Sequence, residues 1–320
     1  MAATPTNTVT SLNTKGIRED LENNLYRVAP EEVPFTSTIG KTKAKQHYHQ
    51  WQVETIDAPN VTPTQYLGAD AQPEAGTASS QIGNYAQHFE RSFQVATVMG
   101  DITLAGRTSE MNRQTVLKGL ALKRDIEKRA LGNYASAPEV AGTTPYTTAG
   151  ALAFCTTSTN RGTGGVNGGF SSGVVSAATN GAQRTFTEAM LKSSLNQVFT
   201  ASGSMADRVA FMSPTQKQTA AAFTGLVQNR RETGSKKAVI VGGADVYVSD
   251  FGEVTFVPSI FCSQRDVLII DPDMWALASL RDITTEDLAK TGDSDKRMIV
   301  ADKAVVARNE ASAAVIADLL

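Results

Sequence analysis

Three histidines, two cysteines and a few closely spaced carboxylates are the residues of this 320-residue chain whose types and spacing could do chemistry. His47 and His49 alternate along a segment with strand character, so their rings share one face. His88 and Glu90 lie on a later extended run. If the two runs pair, they complete an imidazole–imidazole–carboxylate set, a transition-metal donor set. The plainer reading is a pair of surface or interface histidines, because no other donor supports a metal. Gly162, Gly164, Gly165, Gly168 and Gly169 look like a phosphate cradle, but a cradle needs a buried strand before it and a helix N-terminus after it. Neither is evident, so a flexible loop is expected. Asp271 with Asp273 and Asp293 with Asp295 are two-apart pairs in turn-like sequence, where aspartate supports Asx turns. Cys155 and Cys262 lie far apart and outside any Cys-x-x-Cys pair, which points away from a disulfide scaffold or a cysteine zinc site and toward free buried thiols. The sequence has no Gly-x-x-x-x-Gly-Lys-Ser/Thr loop, His-Glu-x-x-His, Gly-x-Ser-x-Gly elbow or EF-hand loop. The expectation is no enzyme: no catalytic residue, no metal and no cofactor.

Composition narrows the classes. Hydrophobic residues make up 41% and charged residues 19%, with 30 basic and 32 acidic side chains for a formal charge of −2. A nucleic-acid binder working by phosphate neutralisation needs a clustered basic excess, which this balance excludes. A disordered chain needs high net charge and few apolar groups, which it also excludes. No signal-like basic-then-apolar N-terminus and no run of eighteen apolar residues occur, so a soluble protein made in a reducing compartment is expected, with no membrane partner. Lys41, Lys43 and Lys45 form a basic run, and Lys236 with Lys237 another; a solvated face is their plainest role.

The elements that would position these residues follow from periodicity. Residues 1–14 are polar and read as an arm. Ile17, Leu21 and Leu25 recur at helical spacing before Pro30. Pro34 is expected to keep the next stretch extended, with Phe35 and Ile39 as apolar anchors. A strand is expected over 45–57 and a second over 84–98, around a long Pro- and Gly-containing tip. Tips of this length in compact domains usually bind something. The pattern therefore predicts a protruding β-arm completed by a partner. A helix over 109–133, with Ser109 as N-cap and Gly132 as stop, carries an apolar stripe of Leu122, Ile126 and Ala130 widened by Leu117, Leu120 and Leu131. Residues 135–185 hold nine of the 25 glycines and read as irregular. A helix over 187–201 is followed by short α/β alternation: strands at 209–212, 239–241, 246–249, 254–257 and 267–270, with Pro214 opening a helix. Strands at 274–280, 298–301 and 303–308 precede an Ala-rich tail.

This order resembles the major capsid proteins of tailed bacteriophages, which share the Hong Kong ninety-seven-type fold with herpesvirus capsid floors and encapsulins. The carrying residues are Asp20-Leu21, Leu25-Tyr26, Pro30, Pro34-Phe35-Thr36-Ser37-Thr38-Ile39-Gly40, Trp51 and Lys128-Arg129-Ala130-Leu131-Gly132. The resemblance implies an α+β Hong Kong ninety-seven-type fold with an N-arm over 1–40 and an extended loop over 41–100. It implies a peripheral domain over 101–185 holding the spine helix, an axial domain over 186–270, and a return to the peripheral domain over 271–320. It implies hexamers and pentamers of an icosahedral shell around double-stranded DNA, a virion location, a portal protein and weak non-specific contact with the packaged DNA. Because Met1 lies directly before the arm, a separate scaffolding protein is expected. No residue matches a subunit cross-linking motif, and the Gly-rich segment reads as an insertion on the outer surface. Trp51, Tyr85, Phe89, Phe93 and Phe35 are the expected assembly residues, since aromatic anchors often dominate such contacts. The rivals are an encapsulin-like compartment, a metal-binding enzyme built on the histidines, and a tail or fibre protein.

Overall fold

The computed structural model describes residues 32–59, 61, 66–68, 70, 75–102, 108–223 and 245–320. The expected arm at 1–14, the helix at 17–29, the strand at 239–241 and the Lys236–Lys237 patch lie outside them.

The chain runs through α1 (Pro34–Thr38), β1 (Gly40–Lys43), β2 (Tyr48–Val53), β3 (Ser80–Tyr85), β4 (Gln87–Ala96), α2 (Glu110–Leu131), α3 (Ala151–Phe154), β5 (Thr159–Asn160), β6 (Gly169–Ser171) and β7 (Val174–Ser176). It continues through α4 (Glu188–Ser202), β8 (Arg208–Met212), α5 (Pro214–Ala221), β9 (Val246–Ser249), β10 (Gly252–Pro258), β11 (Val267–Ile270), β12 (Trp275–Leu288), β13 (Ser294–Ala307) and β14 (Ala314–Ile316). Two mixed sheets carry the architecture. One has four strands in the order β1-β12-β13-β4 and the other six in the order β5-β14-β11-β8-β10-β9.

The spine helix forms as its sequence dictates. The Ser109 hydroxyl accepts the Asn112 N–H, Glu110 sits in the first turn, and Lys128 and Arg129 in the last complement the dipole. Its 22 residues span about 33 Å. Leu122, Ile126, Ala130 and Leu131 are buried in one cluster with Phe89, Ile299, Ala301 and Val305 of the four-stranded sheet. Burial of each large side chain contributes roughly 1.5–3 kcal/mol. The 187–201 helix is α4, capped by Thr187 and stopped by a left-handed Gly203. Pro214 opens α5 behind a Ser213 cap.

Several expectations are corrected. Residues 34–38 are helical, because proline at a first helical position loses no bond and Glu127 accepts the first free N–H groups. The run at 84–98 divides at Ala86: β3 pairs antiparallel with β2, while β4 joins β13 across the sheet. Residues 294–307 form one strand where two were expected. The pair Asp302–Lys303 interrupts the apolar pattern, but the fold buries both and supplies partners: His88 and Arg281 for Asp302, Ser279 and Asp282 for Lys303. The Ala-rich tail is β14, buried between β5 and β11. The six-stranded sheet thus takes strands from 159–160 and 314–316 as well as from 186–270.

Candidate assembly surface

The β2–β3 ribbon is the feature that reaches outward. Tyr48 faces Tyr85, and Trp51 faces Ile82. Tyr48 and Tyr85 lie 4.6 Å apart between ring centroids, Tyr85 and Tyr146 lie 5.8 Å apart, and His47 stacks on Tyr146 at 4.9 Å. Gly83 is required beneath this ladder, since a Cβ there would come within 2.6 Å of the Tyr48 ring. Trp51 packs 6.1 Å from Phe154, which in turn packs edge-on against the buried Trp275 at 6.3 Å. Trp51 therefore seats the ribbon on its own subunit's core.

Beyond the ribbon, residues 54–79 carry Glu54, Asp57, Asp70 and Glu74 and no lysine or arginine. Ile56, Val61, Tyr66 and Leu67 stand at 92% exposure or more, a run of large apolar side chains that the described residues do not cover. Single exposed apolar groups need no explanation, but several of them close together in the sequence mark a candidate interaction surface.

The expected assembly aromatics divide. Phe35 is wholly buried and meets Phe211 edge-on at 5.3 Å, and Phe89 is buried in the α2 core. Neither offers surface to a neighbour: Phe35 is the buried residue of the short helix α1, and Phe89 takes the inward parity of β4. Phe93 is half-buried against the same core, and Tyr85 and Trp51 are half-buried on the ribbon.

Two buried carboxylates that the sequence did not reveal organise the rest. Glu127 is fully buried on α2 and accepts the Phe35 N–H at 2.7 Å and the Thr36 N–H at 2.8 Å, tying the entry to β1 onto the spine helix. Burial pushes its carboxyl above the usual range, against those donors. A signal was present: Leu120, Glu127 and Leu131 share one helical row, so an acid interrupts an apolar one. Asp318, also fully buried and at a left-handed φ of 62°, accepts the Gly162 N–H at 3.0 Å, the Gly181 N–H at 2.7 Å and Arg265 Nη2 at 3.0 Å. Burial opposes its charge, but these donors outweigh it and hold the carboxyl below the usual range.

The Gly-rich segment is in part core and in part surface. Ala149 and 151–155 are buried in the main core, and a Cβ at Gly168 would overlap the Ser176 carbonyl. These glycines permit close backbone packing. The Cys155 thiol is pushed up by burial, and that of Cys262 is pushed up to about 12 by the same cause. His47 and His49 belong with β2, whereas His88 faces Asp302 across β4 and β13 at 2.6 Å. Among the described residues no group of three or more metal-ligating side chains gathers. Lys41, Lys43 and Lys45 are exposed, and Asp271 caps the Asp273 N–H in the expected Asx turn. No helix among the described residues is long and apolar enough to cross a membrane.

The family model for the SU10 major capsid protein matches residues 4–320 of this chain. The chain belongs to the SU10 major capsid protein family. The major capsid protein of Escherichia phage Phieco32 is 25% identical over 179 residues, 53% of this chain and 51% of that protein, so the match spans about half the relative's length. Among solved structures, a chain of the cyanophage A-1(L) capsid asymmetric unit superposes with a TM-score of 0.67 at 15% identity, over 97% of this chain and 99% of that one. A chain of Gordonia phage Cozz gives 0.63 at 10% identity, over 100% and 98%. The family and these neighbours establish the α+β Hong Kong ninety-seven-type fold.

Proposed function

We propose that this SU10-family chain assembles into hexamers and pentamers of a closed icosahedral shell around double-stranded DNA, as a structural protein of the virion and not as an enzyme. The observation that carries this reading is the β2–β3 arm, whose tip places Ile56, Val61, Tyr66 and Leu67 in solvent with no cover among the described residues of its own subunit. A second copy supplies that cover. Obligate interfaces typically bury more than about 2,000 Å², and an extended arm provides such area from a thin subunit. The near-neutral charge agrees with confinement of DNA through weak non-specific contact. In this reading residues 1–40 form the N-arm, 41–100 the extended loop, 101–185 and 271–320 the peripheral domain, and 186–270 the axial domain. Trp51, Tyr85 and Phe93 hold the arm at its root. A separate scaffolding protein and a portal complete the assembly in the host cytoplasm.

Negative-stain electron microscopy of the protein produced with and without its phage's other head proteins tests the reading. Closed shells or sixfold and fivefold rings are expected. Rods or fibres under both conditions would sink it, and closed shells that never take up DNA would favour an encapsulin-like compartment.

A further inference from the structure

We propose that Asn84, acting with Thr148, is the positioning residue of the arm: its side chain takes the place of the strand pairing that β4 gives up, and so fixes the direction in which β2–β3 leaves the sheet. The antiparallel pairing of β4 with β13 ends at Gln87 and Lys303. Continued in register, it would set Tyr85 opposite Val305. The chain instead turns away at Ala86, whose N–H donates to the His47 carbonyl at 2.7 Å, and Tyr85 faces Tyr48 in the ribbon. Val305 is buried and has lost its strand neighbour on that side, so its backbone groups need other partners. Two side chains supply them. The Asn84 amide donates to the Val305 carbonyl at 2.8 Å, and the Thr148 hydroxyl accepts the Val305 N–H at 3.4 Å.

The residue type matches the place. Strands disfavour asparagine, yet Asn84 closes β3 and is wholly buried. Its side chain offers two N–H donors and two carbonyl lone pairs. The donors go to the Val305 carbonyl and, at 3.0 Å, to the Thr148 hydroxyl, with the Ala149 carbonyl a longer contact at 3.4 Å. The lone pairs accept the Tyr85 and Ala149 N–H groups, each at 2.9 Å. Aspartate lacks the donors, leucine lacks both kinds of group, and glutamine is one methylene longer. One side chain thus ties the arm at Tyr85, the sheet at Val305 and the segment before α3 at Thr148 and Ala149. That segment is held in turn from two elements. Gln87 of β4 accepts the Thr148 N–H at 3.2 Å, and Arg129 of α2 donates to the Thr148 carbonyl at 2.8 Å. The arm's bearing is therefore referred to the sheet and the spine helix through one polar joint. Hydrogen bonds fix direction, whereas the apolar contact of Trp51 with Phe154 does not. The joint lies within one subunit and does not rest on shell formation.

Pulsed electron–electron resonance on the full chain tests the proposal, with spin labels at Gln50→Cys on the ribbon and Lys128→Cys on α2, both exposed positions. A Cys262→Ser background suits the labelling, and Cys155 is wholly buried. The parent protein should give one narrow distance distribution. Asn84→Leu and Thr148→Val should each widen it, and exchange of the Val305 N–H should rise about tenfold in each, because exchange follows local opening. The β2–β3 ladder should keep its protection, since the ribbon moves as one body. Thr148→Ser retains the hydroxyl and should behave as the parent. Leu191→Ala, in the separate core beneath α4, should lower the urea midpoint and leave the distances narrow. Parent-width distances in Thr148→Val would overturn the proposal even where Asn84→Leu fails to fold, because valine keeps the shape and removes only the hydroxyl. Equal widening in Leu191→Ala would trace the effect to lost stability and overturn it as well.

Discussion

Asp318 and Glu127 are both fully buried carboxylates, yet they respond to pH in opposite ways. The Asp318 carboxyl is held below its ordinary value in the fold. Its stabilisation is therefore complete above the unfolded value and is lost as pH falls through the folded one. The Glu127 carboxyl is held above its ordinary value. The folded state favours its protonated form, so that contribution is complete below the unfolded value and is lost as pH rises through the folded one. Urea unfolding across a pH series should separate them. Asp318→Asn, which tolerates a left-handed φ, should cost about 2 kcal/mol at neutral pH and flatten the loss of stability in acid. Glu127→Gln should cost less at neutral pH and remove the gain that wild type shows on acidification toward about pH 4. Identical pH slopes in the wild type and both variants would refute the assignment.

Elements in this chain are held by backbone approach as much as by side chains. The turn after α2 meets the start of α3 at Gly150, where an added Cβ would overlap the Gly132 carbonyl. Gly150→Ala should therefore destabilise by about 3 kcal/mol by overpacking, measurable as a fall in the urea midpoint at unchanged slope. A neutral effect would mean that this junction yields more than its packing implies. The long β12–β13 ribbon shows a second device. Its inner halves are buried, the outer half of β12 is exposed and that of β13 mostly half-buried, and register shifts between Ser279 and Thr284 set the join. At that join the buried Asp302 and Lys303 find their partners, so one strand continues through charges that would otherwise end it.

At the scale of the whole molecule, the proposed role of the arm predicts that folding and assembly can be separated by mutation. Trp51 packs on its own core, so Trp51→Ala should cost about 3 kcal/mol of subunit stability and loosen the arm's root as well. Ile56→Ser with Leu67→Ser changes side chains exposed in the subunit and should leave its unfolding midpoint unchanged while abolishing shells or rings. Sedimentation beside thermal melts reads both quantities. Normal shells from the double variant would remove the arm tip from the assembly interface.

The sequence by itself determined the local frame: the spine helix with its Ser109 cap and Gly132 stop, the helices opened by Thr187 and Pro214, most strands of the α/β half, and the family through motifs spread over residues 20–132. These signals lie within a few turns of chain, where periodicity and capping act. Tertiary structure alone decided which runs pair. It sent β4 to β13 instead of β2, placed the Ala-rich tail between β5 and β11, and put Ala149, residues 151–155 and Val175 of the Gly-rich stretch into the core. It also decided that Phe35 and Phe89 face inward and that Glu127 and Asp318 bind backbone N–H groups 91 or more positions away in the chain. Local spacing showed at most that Glu127 interrupts an apolar row; which donors it and Asp318 meet is set by partners so distant that only the fold brings them together.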